Sequence, residues 1–137
     1  MRSVAATLAP GGQLLLHEMH PLYCALAGPD SLELDFPYGG AEPHLSGESI
    51  SYAVPDAILE PTMTVQYAHS LGEVVTAAID AGLQIRRLEE HLCADRDPRG
   101  MTPELEPDGR YRLRSGGHPL PIMFTLIAQE PDSKPVD

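Results

Sequence analysis

Three side chains within four positions, His17, Glu18 and His20, are of the types that move protons at neutral pH. An unperturbed imidazole titrates at about pH 6.5, so a histidine held beside an oxygen, nitrogen or carbon nucleophile can take its proton, and an ionised glutamate can do the same. The same residues also serve plainer ends, a histidine bonded to its own loop or a glutamate in solvent. A zinc reading asks for two histidines four apart on a helix in HExxH, whereas His17 and His20 stand three apart, before Pro21. The other histidines, His44, His69, His91 and His118, scatter through expected loops and element ends, so no metal ligands are assigned.

The elements around this trio follow from local pattern. Residues 3–8 are compatible with a helix, with Val4 and Leu8 on one face; Pro10 stops it, and Gly11 and Gly12 supply the turn. Leu14, Leu15 and Leu16 then form an unbroken apolar run, which predicts a short central strand covered on both faces. His17, Glu18 and His20 fall at its C-terminal end, where open α/β sheets place their ligand crevice.

Further along, Ser70 followed three residues later by Glu73 is a capping box. Leu71, Val74, Val75, Ala78 and Ile79 recur at helical spacing, and Gly82 suits the residue just past a helix end, so a helix is predicted over 71–81. Leu83 and Ile85 alternate with polar residues, and Leu88 falls out of phase. That predicts a half-exposed strand with a bulge near Arg86 and Arg87. In the final strand Ile122, Phe124, Leu126 and Ala128 face one way and Met123, Thr125 and Ile127 the other, which predicts a central strand. Residues 92–118, rich in Pro, Gly and charge, read as a long loop, and residues 131–137 as a disordered tail.

A chain of 137 residues makes one domain of ordinary size. Its formal charge of −11 argues against nucleic acid and anionic membrane surfaces as partners. Cys24 and Cys93 stand far apart in no metal or redox spacing, which suits a reducing, cytoplasmic setting. No apolar run reaches the roughly 18 residues of a membrane span.

LAPGGQLLLHEMHP, over residues 8–21, resembles the turn and fifth strand of class I S-adenosylmethionine-dependent methyltransferases. HSLGEVVTAAIDAGLQI, together with DGRYRL before PLPIMF, is similar to bacterial small-molecule methyltransferases of the type 11 and 12 group. The resemblance implies an α/β fold, the C-terminal half of a Rossmann-like methyltransferase sheet: strand, lid insertion, helix, strand, antiparallel final strand. Residues 14–16 would be the fifth strand, 83–88 the sixth, and 122–128 the reversed strand between them. Residues 1–130 would form the partial domain and 22–68 the lid over a small-molecule pocket.

In that lid, Ile50, Tyr52 and Val54 and then Met63, Val65 and Tyr67 alternate as two strands that could pair as a hairpin. Tyr23, Tyr38, Tyr52 and Tyr67 would give the pocket aromatic walls, and His69 could face it, though packing the lid or bonding the start of the helix are plainer roles. The implied cofactor is S-adenosyl-L-methionine. Its binding motif, a glycine-rich turn from a strand into a helix, does not occur, so no cofactor-binding residue is assigned. The chain is thus expected to be inactive alone, with a missing N-terminal half or self-association through the exposed sheet edge as partner. Two other classes stay open: a non-catalytic binding or interaction module derived from a methyltransferase, and an acidic α/β protein with a His-lined metal or ligand site.

Overall fold

A computed structural model of the chain describes residues 1–28, 31–40, 42–47, 63–96 and 104–132. Helix α1 (Arg2–Thr7) ends before the Pro10 turn, and strand β1 (Gln13–Met19) follows. Helix α2 (Pro21–Ala25) leads into β2 (Leu26–Gly28), which pairs with β3 (Ser31–Leu34). Strand β4 (Pro43–Ser46) pairs antiparallel with β5 (Thr64–Tyr67). Then come α3 (Leu71–Asp80), β6 (Gln84–His91), the short strands β7 (Glu104–Leu105), β8 (Tyr111–Ser115) and β9 (His118–Leu120), and finally β10 (Met123–Gln129). The fold is mixed α/β, with mostly antiparallel pairing.

The central sheet runs β1-β10-β6, with β10 antiparallel to both neighbours, so β1 and β6 are parallel to each other. This is the position expected for residues 122–128. Along β10 the side chains of Phe124, Leu126 and Ala128 are buried while Met123, Thr125 and Ile127 are partly open, as the period of two demands. Helices α1 and α3 cover the buried face: Ala5 and Ala78 share one core with Leu83, Phe124, Leu126 and Ala128. A second core, Tyr23, Leu26, Leu113 and Ile122, joins α2 and β8 at the sheet's end.

Helix α3 starts and stops as its sequence dictates. The Ser70 hydroxyl accepts from the Glu73 amide while the Glu73 carboxylate accepts from the Ser70 amide, the reciprocal pair of a capping box. At the other end Gly82, at φ +88°, lets its own N–H reach Ile79 O and the Leu83 N–H reach Ala78 O. Leu71, Val74, Val75 and Ala78 pack inward as predicted, but Ile79, on the flank of that stripe, is 56% exposed.

The bulge in β6 is Arg86. Ile127 opposes Arg87 and Ala128 opposes Ile85, which leaves Arg86 as the extra residue. Its guanidinium turns onto Gln129 Oε1 at 2.8 Å and Gln84 Oε1 at 2.7 Å. The phase change keeps Leu88 on the same face as Ile85, opposite Leu126.

Two expectations are corrected. Strand β1 pairs only with β10 among the described residues, so it is an edge strand there, and its face away from the helices is open, with Leu15 66% exposed, rather than both faces being covered. Residues 92–118 are not a bare loop where they are described. The strands β7-β8-β9 form a small meander, tied to the end of β6 by the Ala94–Tyr111 bridge. The predicted partner of β5, around Tyr52, lies outside the described residues, as does most of the predicted tail; β4 takes that pairing place.

Leu126 is fully buried between the helices and both neighbouring strands. Leu126→Ala should therefore cost about 2–5 kcal/mol of stability, as measured by urea unfolding.

Candidate functional site

The trio at the end of β1 separates as soon as the chain is folded, because successive strand residues point to opposite faces and Pro21 turns the chain into α2. His20 goes inward. Its amide donates to Ile122 O at 2.9 Å, and its side chain is 5% exposed. The Leu22 amide donates to His20 Nδ1 at 3.2 Å, which caps α2, and Nε2–H donates to the Glu90 carboxylate at 2.9 Å. The ring also meets Phe124 edge-on, with centroids 6.4 Å apart. Both ring nitrogens are engaged, so His20 holds β1, α2 and β6 together instead of serving as a base.

His17 points to the open face, where Thr125 stands opposite it in the sheet register. Its Nδ1 lies 2.8 Å from Thr125 Oγ1, and the Nε2 of His91, at the end of β6, lies 2.7 Å from the same oxygen. One hydroxyl offers one proton and two lone pairs, so it can donate to one ring while accepting from the other. The two imidazoles, 5.5 Å apart, are thereby coupled through one proton position. Sequence reasoning passed over His91 and Thr125. The signal it could have used is that both stand on the same face as His17 once the three strands are aligned.

Beside this cluster opens a cleft of about 670 Å³, lined by His17, His91, Cys93, Asp95 and Arg110 among others. Arg110 donates to Cys93 Sγ at 3.3 Å and lies 3.6 Å from Asp95. These neighbours, the thiol first, raise the guanidinium pKa further. The meander holds Arg110 in place through a charged clasp. Arg112 grips Asp108 with two hydrogen bonds of 3.0 and 2.7 Å and reaches Glu106, which also accepts from Arg114.

A second cavity, of about 390 Å³, lies on the opposite face of the β1 end, where Leu16 and Phe124 point. The β4–β5 hairpin walls it through His44, Gln66 and Tyr67, and His69 joins the lining just before α3. Glu18 lines both openings, and among the described residues its carboxylate makes no hydrogen bond or ion pair.

The expected tyrosine walls are largely elsewhere. Tyr23 is wholly buried in the second core and lines neither cavity, because α2 turns it toward Ile122 and Leu113. The Tyr38 hydroxyl accepts from the Leu71 amide at 3.3 Å, so it helps to close the start of α3. Gly39 follows at φ +83°, where a Cβ would come within 2.5 Å of Glu73 Oε2. This close approach holds the 38–40 turn against the capping box, whose hydrogen bonds, the Ser70 amide's first, lower the Glu73 pKa. Of the residues first considered for the site, Glu18, His17 and His69 reach a cavity; His20, Tyr23 and Tyr38 are structural.

The chain matches no known protein family, no curated protein and no solved structure. The cofactor implied by the sequence resemblance has to be judged from the residues themselves. Among the described residues two turns lead from a strand directly into a helix, His20 between β1 and α2 and residues 68–70 between β5 and α3, and neither contains glycine. A cradle in which backbone amides approach the methionyl group closely is therefore not formed among the described residues. Nor do three or more His, Cys, Asp or Glu side chains converge there as a metal-ligand set.

His20→Ala should lower stability by about 1–3 kcal/mol, because it strips a cap and a buried hydrogen bond, whereas His17→Ala should change it by less than about 0.5 kcal/mol. Urea unfolding of the two variants tests the contrast. The hydrogen bonds from Arg112 hold the Asp108 carboxyl down to about 2, against 3.8 unperturbed. A carboxyl whose folded pKa is depressed binds fewer protons when folded, so its stabilisation is complete above pH 3.8 and fades as pH falls to about 2. The stability difference between the native chain and Asp108→Asn should stay constant above that window and narrow within it.

Proposed function

We propose that this chain is the C-terminal, substrate-side half of a class I S-adenosylmethionine-dependent methyltransferase acting on a small molecule, and is inactive by itself. The observation that carries the reading is the reversed strand β10 between the mutually parallel β1 and β6, the order that the sequence resemblance implies. Two further features support it. Both cavities open beside the C-terminal end of β1, and the first also reaches the end of β6, where open α/β sheets bind ligands; the paired strands β4 and β5 wall the second.

In this reading Glu18 is the first choice for a group that takes a proton from the substrate, since it reaches both cavities and is otherwise unengaged among the described residues. His17 is the second, with Thr125 and His91 able to pass its proton along. S-adenosylmethionine would supply the methyl group. Its binding surface would come from residues outside those described, and the described ones orient substrate and close the pocket.

The His17–Thr125–His91 cluster favours a second reading, an acidic α/β protein with a His-lined ligand site. A methyltransferase-derived binding module would use the same cavities without the cofactor.

The coding sequence upstream of Met1 tests the proposal. The expected result is an in-frame segment encoding a strand, a glycine-rich turn and a helix. A polypeptide starting there should transfer tritiated methyl groups to small molecules, with Glu18→Gln reducing the rate by about 100-fold or more. The 137-residue chain should give no heat of binding with S-adenosylmethionine. Micromolar binding of S-adenosylmethionine by this chain alone would overturn the proposal, whereas an in-frame stop directly before Met1 would count against a misplaced start.

A further inference from the structure

We infer that the cavity beneath the β4–β5 hairpin takes a small organic cation, an arylalkyl amine in chemical class, with its ammonium on Glu18 and its apolar part against Phe124 and Phe36. The inference rests on reading this cavity as the substrate pocket, and it adds the charge and shape of the substrate.

The lining has the composition of a site for an apolar body with one charged end. Leu16, Pro21, Val74, Phe36 and Phe124 make apolar walls. Among the described residues neither Lys nor Arg lines the cavity, so an anionic ligand would find no permanent positive charge on them. Among the described residues the other polar groups lining it are Cys24, His44, Gln66, Tyr67 and His69, which can bond a ligand.

The surrounding acids are otherwise engaged. Glu90 accepts from His20, Glu73 accepts from the Ser70 amide, and Asp35 lies 3.8 Å from His44. Glu18 makes no such contact among the described residues and lines the same space. In the sheet register it stands directly opposite Phe124, so the apolar body of a cation paired with the carboxylate lies beside that ring.

Two global properties point the same way. A formal charge of −11 draws cations toward the protein and repels anions. A volume of about 390 Å³ is large enough for a ring with a short side chain.

Isothermal titration of the full chain at pH 7.5 with three probes of similar size tests the inference: 2-phenylethylamine, 2-phenylethanol and 3-phenylpropionate. The amine should bind at least about ten-fold more tightly than the other two. Glu18→Gln should weaken amine binding by about ten-fold and leave the alcohol unchanged. Asp80→Asn removes the same charge from the C-terminal end of α3 and should leave amine binding as it was. A melting temperature equal to that of the native chain shows that Glu18→Gln is folded. Failure of the amine to bind, equal binding of the carboxylate, or an unchanged amine affinity in Glu18→Gln would overturn the inference. No S-adenosylmethionine is present in this titration, so its failure leaves methyl transfer standing, and absent methyl transfer leaves the amine site standing.

Discussion

Strand β10 can lie between β1 and β6 because both of its backbone edges find partners there and because one whole face of it is apolar. Phe124, Leu126 and Ala128 are buried in succession, and Ile122 just before them is buried in the neighbouring core. Burying such a face removes apolar area from water at about 25 cal/mol per Å², and the paired ladder satisfies the amides and carbonyls that are buried with it. The helices α1 and α3 have a surface to pack on only because this row exists. The first cavity in turn lies where β1 and β6 end together on either side of β10, and the second lies between the end of β1, α3 and the paired strands β4 and β5.

The same arrangement assigns the polar residues their roles. At the end of the sheet Glu18, Phe124 and Glu90 stand in one row across three strands. Glu90 is taken by the buried His20, which caps α2 and so closes the turn at the end of β1. Glu18, at the outer end of the row, is left to face the cavities. On the other face the next row places His17 opposite Thr125, and His91 leans in from β6 to share the hydroxyl. Adjacent residues of the sequence thus serve opposite sides of the sheet.

Local signals in the sequence were strong where the chain satisfies its own backbone within a few residues. Ser70 and Glu73 announce the start of α3, Gly82 announces its end, and the phase slip between Ile85 and Leu88 announces the bulge at Arg86. The both-sided apolar pattern of residues 122–128 was enough to place that strand in the middle. Burial of β1 was misread because three consecutive leucines look alike whether one face or two are covered, and among the described residues only the face of Leu14 and Leu16 packs against the core, which leaves Leu15 exposed. The meander over residues 104–120 was missed because its strands are short and are held by Arg112, Arg114, Glu106 and Asp108, whose spacing carries no strand period.

The sequence by itself determined the capped helix α3, the bulged strand β6 and the central place of residues 122–128, and it offered a group of candidate polar residues, because periodicity, caps and turn residues act over distances of a few residues. Only the tertiary structure decided which members of that group are free to act. It buried Tyr23, tied Tyr38 to α3 and engaged both nitrogens of His20, while it joined His17 to His91 and left Glu18 facing two cavities. The physical reason is that hydrogen-bond partners and burial are set by residues that are distant in the chain and meet only across the sheet register, and no local pattern encodes whom a polar side chain will meet.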